Sequence, residues 1–186
     1  FNRPVTDLPS DCLFPSSYAS IGDVDGDGRH DWVASSAQAV DPVTGGRGII
    51  RVLSRRPLYT ASHKVSLASK PEARLELNAG VAQGGGTYLL LASCSGTAGI
   101  PFAGLTIPLT FDACTYYSLV SANLPPFGNT LGTLSVDPGT AAALFDAVHV
   151  PPAANGLTMR FAYVGVGPGG HFTSNAEPIL IDLFGP

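Results

Sequence analysis

Turn-forming clusters recur so closely along the second half of this chain that no long helix fits between them. Ala82-Gln83-Gly84-Gly85-Gly86, Asn123-Leu124-Pro125-Pro126, Asp137-Pro138-Gly139, Ala154-Asn155-Gly156 and Gly165-Val166-Gly167-Pro168-Gly169-Gly170 each interrupt the backbone. Proline does so through its fixed φ and missing N–H, glycine through its access to positive φ. The segments left between them are short and apolar, at 73–77, 87–93, 105–109, 116–120, 131–136, 140–145, 157–164 and 178–183. Several alternate as a half-buried strand does, Leu75/Leu77 and Met159/Phe161/Tyr163 being the clearest. About eight strands at this spacing predict an all-β fold, with residues 71–186 forming a β-sandwich of Ig-like or jelly-roll type.

Composition agrees. The 186 residues include 22 glycines and 16 prolines, and only 13% are charged, against roughly a quarter in ordinary soluble proteins. Ten scattered basic residues give no footprint for nucleic acid, Arg51, Arg55 and Arg56 being the densest group. The longest apolar runs, such as Tyr88-Leu89-Leu90-Leu91-Ala92, are far too short to span a membrane as a helix. So few charges on so apolar a chain suggest that part of the surface is covered by something else.

Near the N-terminus stands Asp23-Val24-Asp25-Gly26-Asp27-Gly28-Arg29-His30-Asp31, followed by Trp32-Val33-Ala34. Aspartates fall at loop positions 1, 3, 5 and 9 and glycines at 4 and 6. Carboxylates packed this densely repel one another unless a cation sits among them, and hard oxygen donors in this number suit Ca2+. The expected ligands are the side chains of Asp23, Asp25, Asp27 and Asp31, with the carbonyl of Arg29 at the seventh position. The net charge of −4 includes these aspartates, so a bound calcium ion brings it to about −2. An EF-hand needs glutamate at position 12, where this chain has Ala34. A dockerin-like loop wants an acid there too, with a helix after it.

Residues 17–70 resemble one FG-GAP, or VCBS-type, repeat, the calcium-binding blade of integrin-α-like β-propellers. The resemblance rests on Ile21-Gly22 leading into the aspartate loop, on Trp32-Val33 after it, and on Gly48-Ile49-Ile50-Arg51-Val52-Leu53. It covers roughly a quarter of the chain, the length of a single repeat. It implies a calcium loop between two strands of a small sheet, with Asp41–Gly46 as the following turn; 58–60 and 64–67 offer further strands. Propellers need several blades, and the loop motif occurs once. Residues 71–186 are also similar in style to the glycine- and proline-rich β-modules at the C-terminal ends of secreted bacterial repeat proteins.

Residues 1–16 carry Pro4, Pro9 and Pro15 between small apolar groups and read as an extended arm. The start at Phe1 fits either a processed mature chain or a piece of a longer one. Cys12, Cys94 and Cys114 match no zinc spacing. Cys94 with Cys114 is the expected disulfide, each lying in or beside a strand-like run of one domain. Few thiols and a calcium loop together place the chain outside a cell, secreted or at its surface.

No nucleophile elbow is present, and His30, His63, His149 and His171 and the remaining acids are dispersed. Enzymatic activity is therefore not expected. Of the aromatics, Phe127 and Phe172 are expected exposed in loops, most others in the core, and at most one of Tyr116 and Tyr117 in the core of a strand. The expected function is a non-enzymatic extracellular structural subunit, stabilised by calcium, that assembles with copies of itself into a filament or surface layer by strand or arm exchange. The alternative is an adhesion module that binds cell-surface glycan or protein with the help of calcium.

Overall fold

The computed structural model describes residues 17–22, 31–40, 47–53 and 57–185, and in them strands predominate. The chain divides into two compact units, Phe1–Arg55 and Arg56–Pro186.

In the first unit, β1 (Ser17–Gly22), β2 (Asp31–Val40) and β3 (Arg47–Leu53) form an antiparallel sheet in the order β1-β2-β3. Gly22 pairs with Asp31 at one end of the β1/β2 ladder, and Val40 with Arg47 at one end of β2/β3. Two consecutive hairpins result. The register of β1 on β2 shifts between Ser20 and Gly22, next to the aspartate segment. Bulges of this kind re-aim a strand where it enters a loop. The expected turn over Asp41–Gly46 and the arm over 1–16 lie outside the described residues.

The second unit is a β-sandwich. Its elements are β4 (Leu58–Thr60), β5 (Lys64–Val65), β6 (Glu72–Asn78), β7 (Thr87–Ser93), β8 (Ile100–Phe102), β9 (Leu105–Ile107), a helix α1 (Ala113–Val120), β10 (Phe127–Gly128), β11 (Leu131–Thr133), β12 (Thr140–Asp146), β13 (Thr158–Gly167), β14 (Gly170–Thr173) and β15 (Glu177–Ile181). One sheet runs β10-β12-β6-β4 and the other β11-β7-β13-β15-β5, with β14 also on β13. Pairing is antiparallel except between β15 and β5. The core lies between the sheets because their inner faces alternate. Ala73, Leu75 and Leu77 of β6 are buried while the residues between them are exposed, and Met159, Phe161 and Tyr163 of β13 face them. Phe145 of one sheet meets Phe161 of the other at 5.2 Å between ring centroids.

A ribbon of β8 and β9 covers the outer face of β7 and β13, where Ile107 and Leu109 pack on Leu91, Ala162 and Val164. Both faces of β7 are thus occupied, which is why its sequence is a continuous apolar run rather than an alternation.

Three expectations are corrected. Leu58–Thr60 and Lys64–Val65 do not complete the small sheet but pair with β6 and β15 of the sandwich, with Leu58 and Val65 wholly buried in its core. Phe127 and Phe172 are buried rather than exposed, Phe127 against Phe145 and Phe172 against Tyr163. The third concerns 116–120, which is helix, with both tyrosines exposed.

Candidate functional site

Of the expected metal ligands, Asp23, Asp25, Asp27 and Arg29 lie outside the described residues, as does Cys12. Their frame is described. Gly22 ends β1, Asp31 begins β2, and the two are register partners, so residues 23–30 link adjacent strand ends. The donor set is oxygen throughout, carboxylates and one carbonyl, which is the chemistry calcium takes. These residues therefore fit the ion that the resemblance implies. Among the described residues no group of three or more His, Cys, Asp or Glu could hold a metal.

The most heavily bonded carboxylate of the second unit is Asp112, at the N-cap of α1. Its Oδ1 accepts the backbone N–H of Thr115 at 2.9 Å, and the Thr115 hydroxyl bonds back towards the Asp112 backbone, a reciprocal capping box. Its Oδ2 accepts from Ser93 Oγ, from the N–H groups of Cys94 and Ser95, and from Ser95 Oγ, all within 2.7–2.9 Å. Burial opposes ionisation of this carboxyl, but donation from Ser95, Thr115, Ser93 and Cys94 outweighs it and holds the group well below the usual carboxylate range. A disulfide between Cys94 and Cys114, the expected pair, ties the same helix to the end of β7.

The inner face of α1 follows from the sheet it meets. Beyond β11, the outer edge of β7 still presents N–H groups that need acceptors. Thr130 O takes the N–H of Leu90, Ser118 Oγ that of Ala92 at 3.0 Å, and Asp112 Oδ2 that of Cys94. The helix therefore turns two hydroxyls inward, Thr115 and Ser118, its only buried residues. Its large apolar side chains are left about half-exposed or more, Tyr117 with its ring 5.8 Å from that of the buried Phe127. Ala113, Tyr116, Tyr117 and Val120 recur at i, i+3, i+4 and i+7, the spacing of one helical stripe. Tyr116 is 60% exposed, Tyr117 49% and Val120 56%.

Two signals in the sequence mark this element. Asp112-Ala113-Cys114-Thr115 has a capping residue with a hydroxyl at the third helical position, and the stripe follows at once. Moreover, Asp112 is the one charged residue between Glu76 and Asp137. Strand propensity of Tyr-Tyr and Leu-Val hides the helix, and the cap and disulfide override it.

His63 does not bond Ser62, the serine beside it in the sequence. His63 Nδ1 stands 3.5 Å from Oε1 of Glu177, a residue 1% exposed, and 3.2 Å from the Pro178 carbonyl. Ser62 Oγ donates instead to Lys64 O at 2.6 Å. His149 bonds Asp146 at 2.8 Å at the surface. No described helix is long and apolar enough to cross a membrane.

No family model, no curated protein and no solved structure matches the chain.

Proposed function

We propose that this chain is a non-enzymatic structural subunit of the cell exterior, stapled by calcium at residues 23–31, that assembles with its own copies. The observation that carries the reading is a contrast between sheet edges. In the sandwich the edge strands have two to four residues, and side chains close three of them, β11, β4 and β5. Asn123 holds both backbone groups of Leu131, and Asn175 both those of Leu58. Ser62 takes the Lys64 carbonyl on β5. Short, covered edges of this kind do not recruit a further strand.

In the three-stranded sheet, by contrast, β1 and β3 are the edges and run 6 and 7 residues, with no described strand on the outer side of either. β3 reads Arg47-Gly48-Ile49-Ile50-Arg51-Val52-Leu53, an apolar edge with two arginines. Such an edge is a template for strand addition. Residues 1–16, whose prolines at 4, 9 and 15 favour an extended chain in the sequence, would supply the added segment. Calcium would hold together the β1–β2 hairpin on which β3 pairs, and the disulfide suits an oxidising exterior.

The test is deletion of residues 1–15 in the full-length background, compared with the intact chain by sedimentation with calcium present. Loss of assemblies on deletion supports arm exchange. An intact chain that stays monomeric at its highest soluble concentration refutes the reading.

A further inference from the structure

The far half of the outer edge of β7 is closed by a helix, not by a strand. β11 pairs only with residues 87–89, and the Thr130 carbonyl next to it takes the Leu90 N–H. Beyond that point the N–H groups of Ala92 and Cys94 end on Ser118 Oγ at 3.0 Å and on Asp112 Oδ2 at 2.9 Å. Thr87–Ser93 has neither charge nor proline, the composition that pairs most readily with a further chain when its edge is open.

The helix has little apolar hold on this edge. Its buried residues are Thr115 and Ser118, and Tyr117 adds a contact with Phe127 at 5.8 Å between ring centroids. A surface helix is ordinarily held by a broad apolar stripe facing the core. Two fasteners stand in for that stripe here, both at the N-terminal end of α1. One is the Asp112 carboxylate; the other is the Cys94–Cys114 disulfide, which joins the first turn of the helix to the residue after β7.

We propose that α1 is a lid over the outer edge of β7 and that the Cys94–Cys114 bond is its redox latch. The edge opens while the pair is in the dithiol form and is sealed when the bond forms. Closing transfers two electrons and two protons from the two thiols to a disulfide donor. One cysteine thiolate attacks the donor, the second cysteine resolves the mixed disulfide, and the donor leaves as two thiols. A dithiol reductant reverses both steps. Both cysteines are half-buried at the margin of the core, so the exchange needs no opening of the core itself. Asp112 still caps the helix in the dithiol form, so the lid opens part of the time and the sandwich stays folded. The device ties closure of an assembly-prone edge to the oxidising surroundings in which disulfides persist. It goes beyond the self-assembly reading and does not depend on it, since that reading places strand addition on the first unit.

The experiment is residue-resolved amide hydrogen exchange on the full chain, disulfide-bonded and after refolding in excess dithiol at the same pH. N–H groups alternate between the two neighbours of a strand. Ala92 and Cys94 therefore report on the lid, while Leu91 and Ser93, which face β13, report on the sheet. The expected result is a roughly 10- to 100-fold loss of protection at Ala92 and Cys94 in the dithiol form, within what release of a bond closing a loop of this length supports. Leu91 and Ser93 should be unchanged, and reoxidation by a disulfide donor should restore the lid amides. Cys94→Ala with Cys114→Ala should show the open pattern at Ala92 with or without reductant. Equal protection at Ala92 in the bonded form and in either unbonded one overturns the proposal, because the lid then needs no latch. Loss at all four amides together, or a dithiol chain that does not refold, also overturns it, the bond then holding the whole sandwich. So does an opening that reoxidation fails to reverse.

Discussion

Asn175 holds Leu58 from the side as a neighbouring strand would, its Oδ1 accepting the Leu58 N–H at 3.0 Å and its Nδ2 donating to the Leu58 carbonyl at 3.1 Å. Leu58 is wholly buried, so both backbone groups need partners that water cannot supply there. The same device recurs where Asn123 grips Leu131 with Nδ2 to the carbonyl at 2.8 Å and Oδ1 from the N–H at 2.9 Å. Asn123 reaches it from a left-handed φ of 63°, a conformation asparagine tolerates better than most residues.

Asn175→Ala should therefore destabilise the sandwich by roughly 2–3 kcal/mol, through two buried groups left unsatisfied. Asn123→Ala, at an exposed edge where water replaces the amide, should cost about 1 kcal/mol or less. Urea denaturation measures both. Equal effects would mean that burial of the edge is not what matters.

Asp112 makes α1 sensitive to acid. Its folded pKa lies below the ordinary carboxylate value, so its contribution is fully present above about pH 4 and is lost as pH falls below that. The protection of amides 113–120, measured against the unfolded chain at the same pH, should fall on acidification in the wild type. Asp112→Asn should already exchange fast at neutral pH, with stability lower by about 1.5–3 kcal/mol for loss of charged hydrogen bonds. An unchanged exchange profile in the variant would show that the disulfide alone holds the helix.

The disulfide closes a loop with a sequence separation of 20 residues. Its removal by Cys94→Ala with Cys114→Ala should cost about 3 kcal/mol, mostly by releasing the unfolded chain. The melting temperature of the double variant, compared with the oxidised wild type, reads this directly. Asp112 should keep a residual helix in place, so the variant remains folded.

The sandwich is legible in the sequence where alternation is clean. Leu75/Leu77 and Met159/Phe161/Tyr163 show which faces turn inward, and those faces form the core. The doubly covered β7 is legible as a strand but not in its depth, because cover by the β8–β9 ribbon is a tertiary fact. β10 and β14, of 2 and 4 residues, are too short to leave a periodic trace. Phe127 and Phe172 sit among turn residues and so read as exposed, although packing against Phe145 and Tyr163 draws them in. α1 is hidden because its polarity runs against the usual pattern, with hydroxyls inward and tyrosines outward. The aspartate segment is the reverse case: its chemistry is explicit in the sequence, and the structure adds the pairing of Gly22 with Asp31 at its two ends.

Calcium should act on the first unit alone. Asp25→Asn with Asp27→Asn removes two of the anionic donors and should weaken calcium binding by at least about tenfold, as ligand charge sets affinity in such loops. Exchange protection over β1–β3 should fall to the chelator-treated level, while β6, β7 and β13 keep theirs. Calorimetric titration and hydrogen exchange check both parts. Equal protection with calcium and with chelator would remove the metal from the account.

The most direct test of the central claim is negative-stain electron microscopy of the intact chain, with calcium and then with chelator. Self-assembly through a calcium-held edge predicts regular filaments or sheets in calcium that disperse in chelator. Isolated particles of single-chain size under both conditions would contradict it.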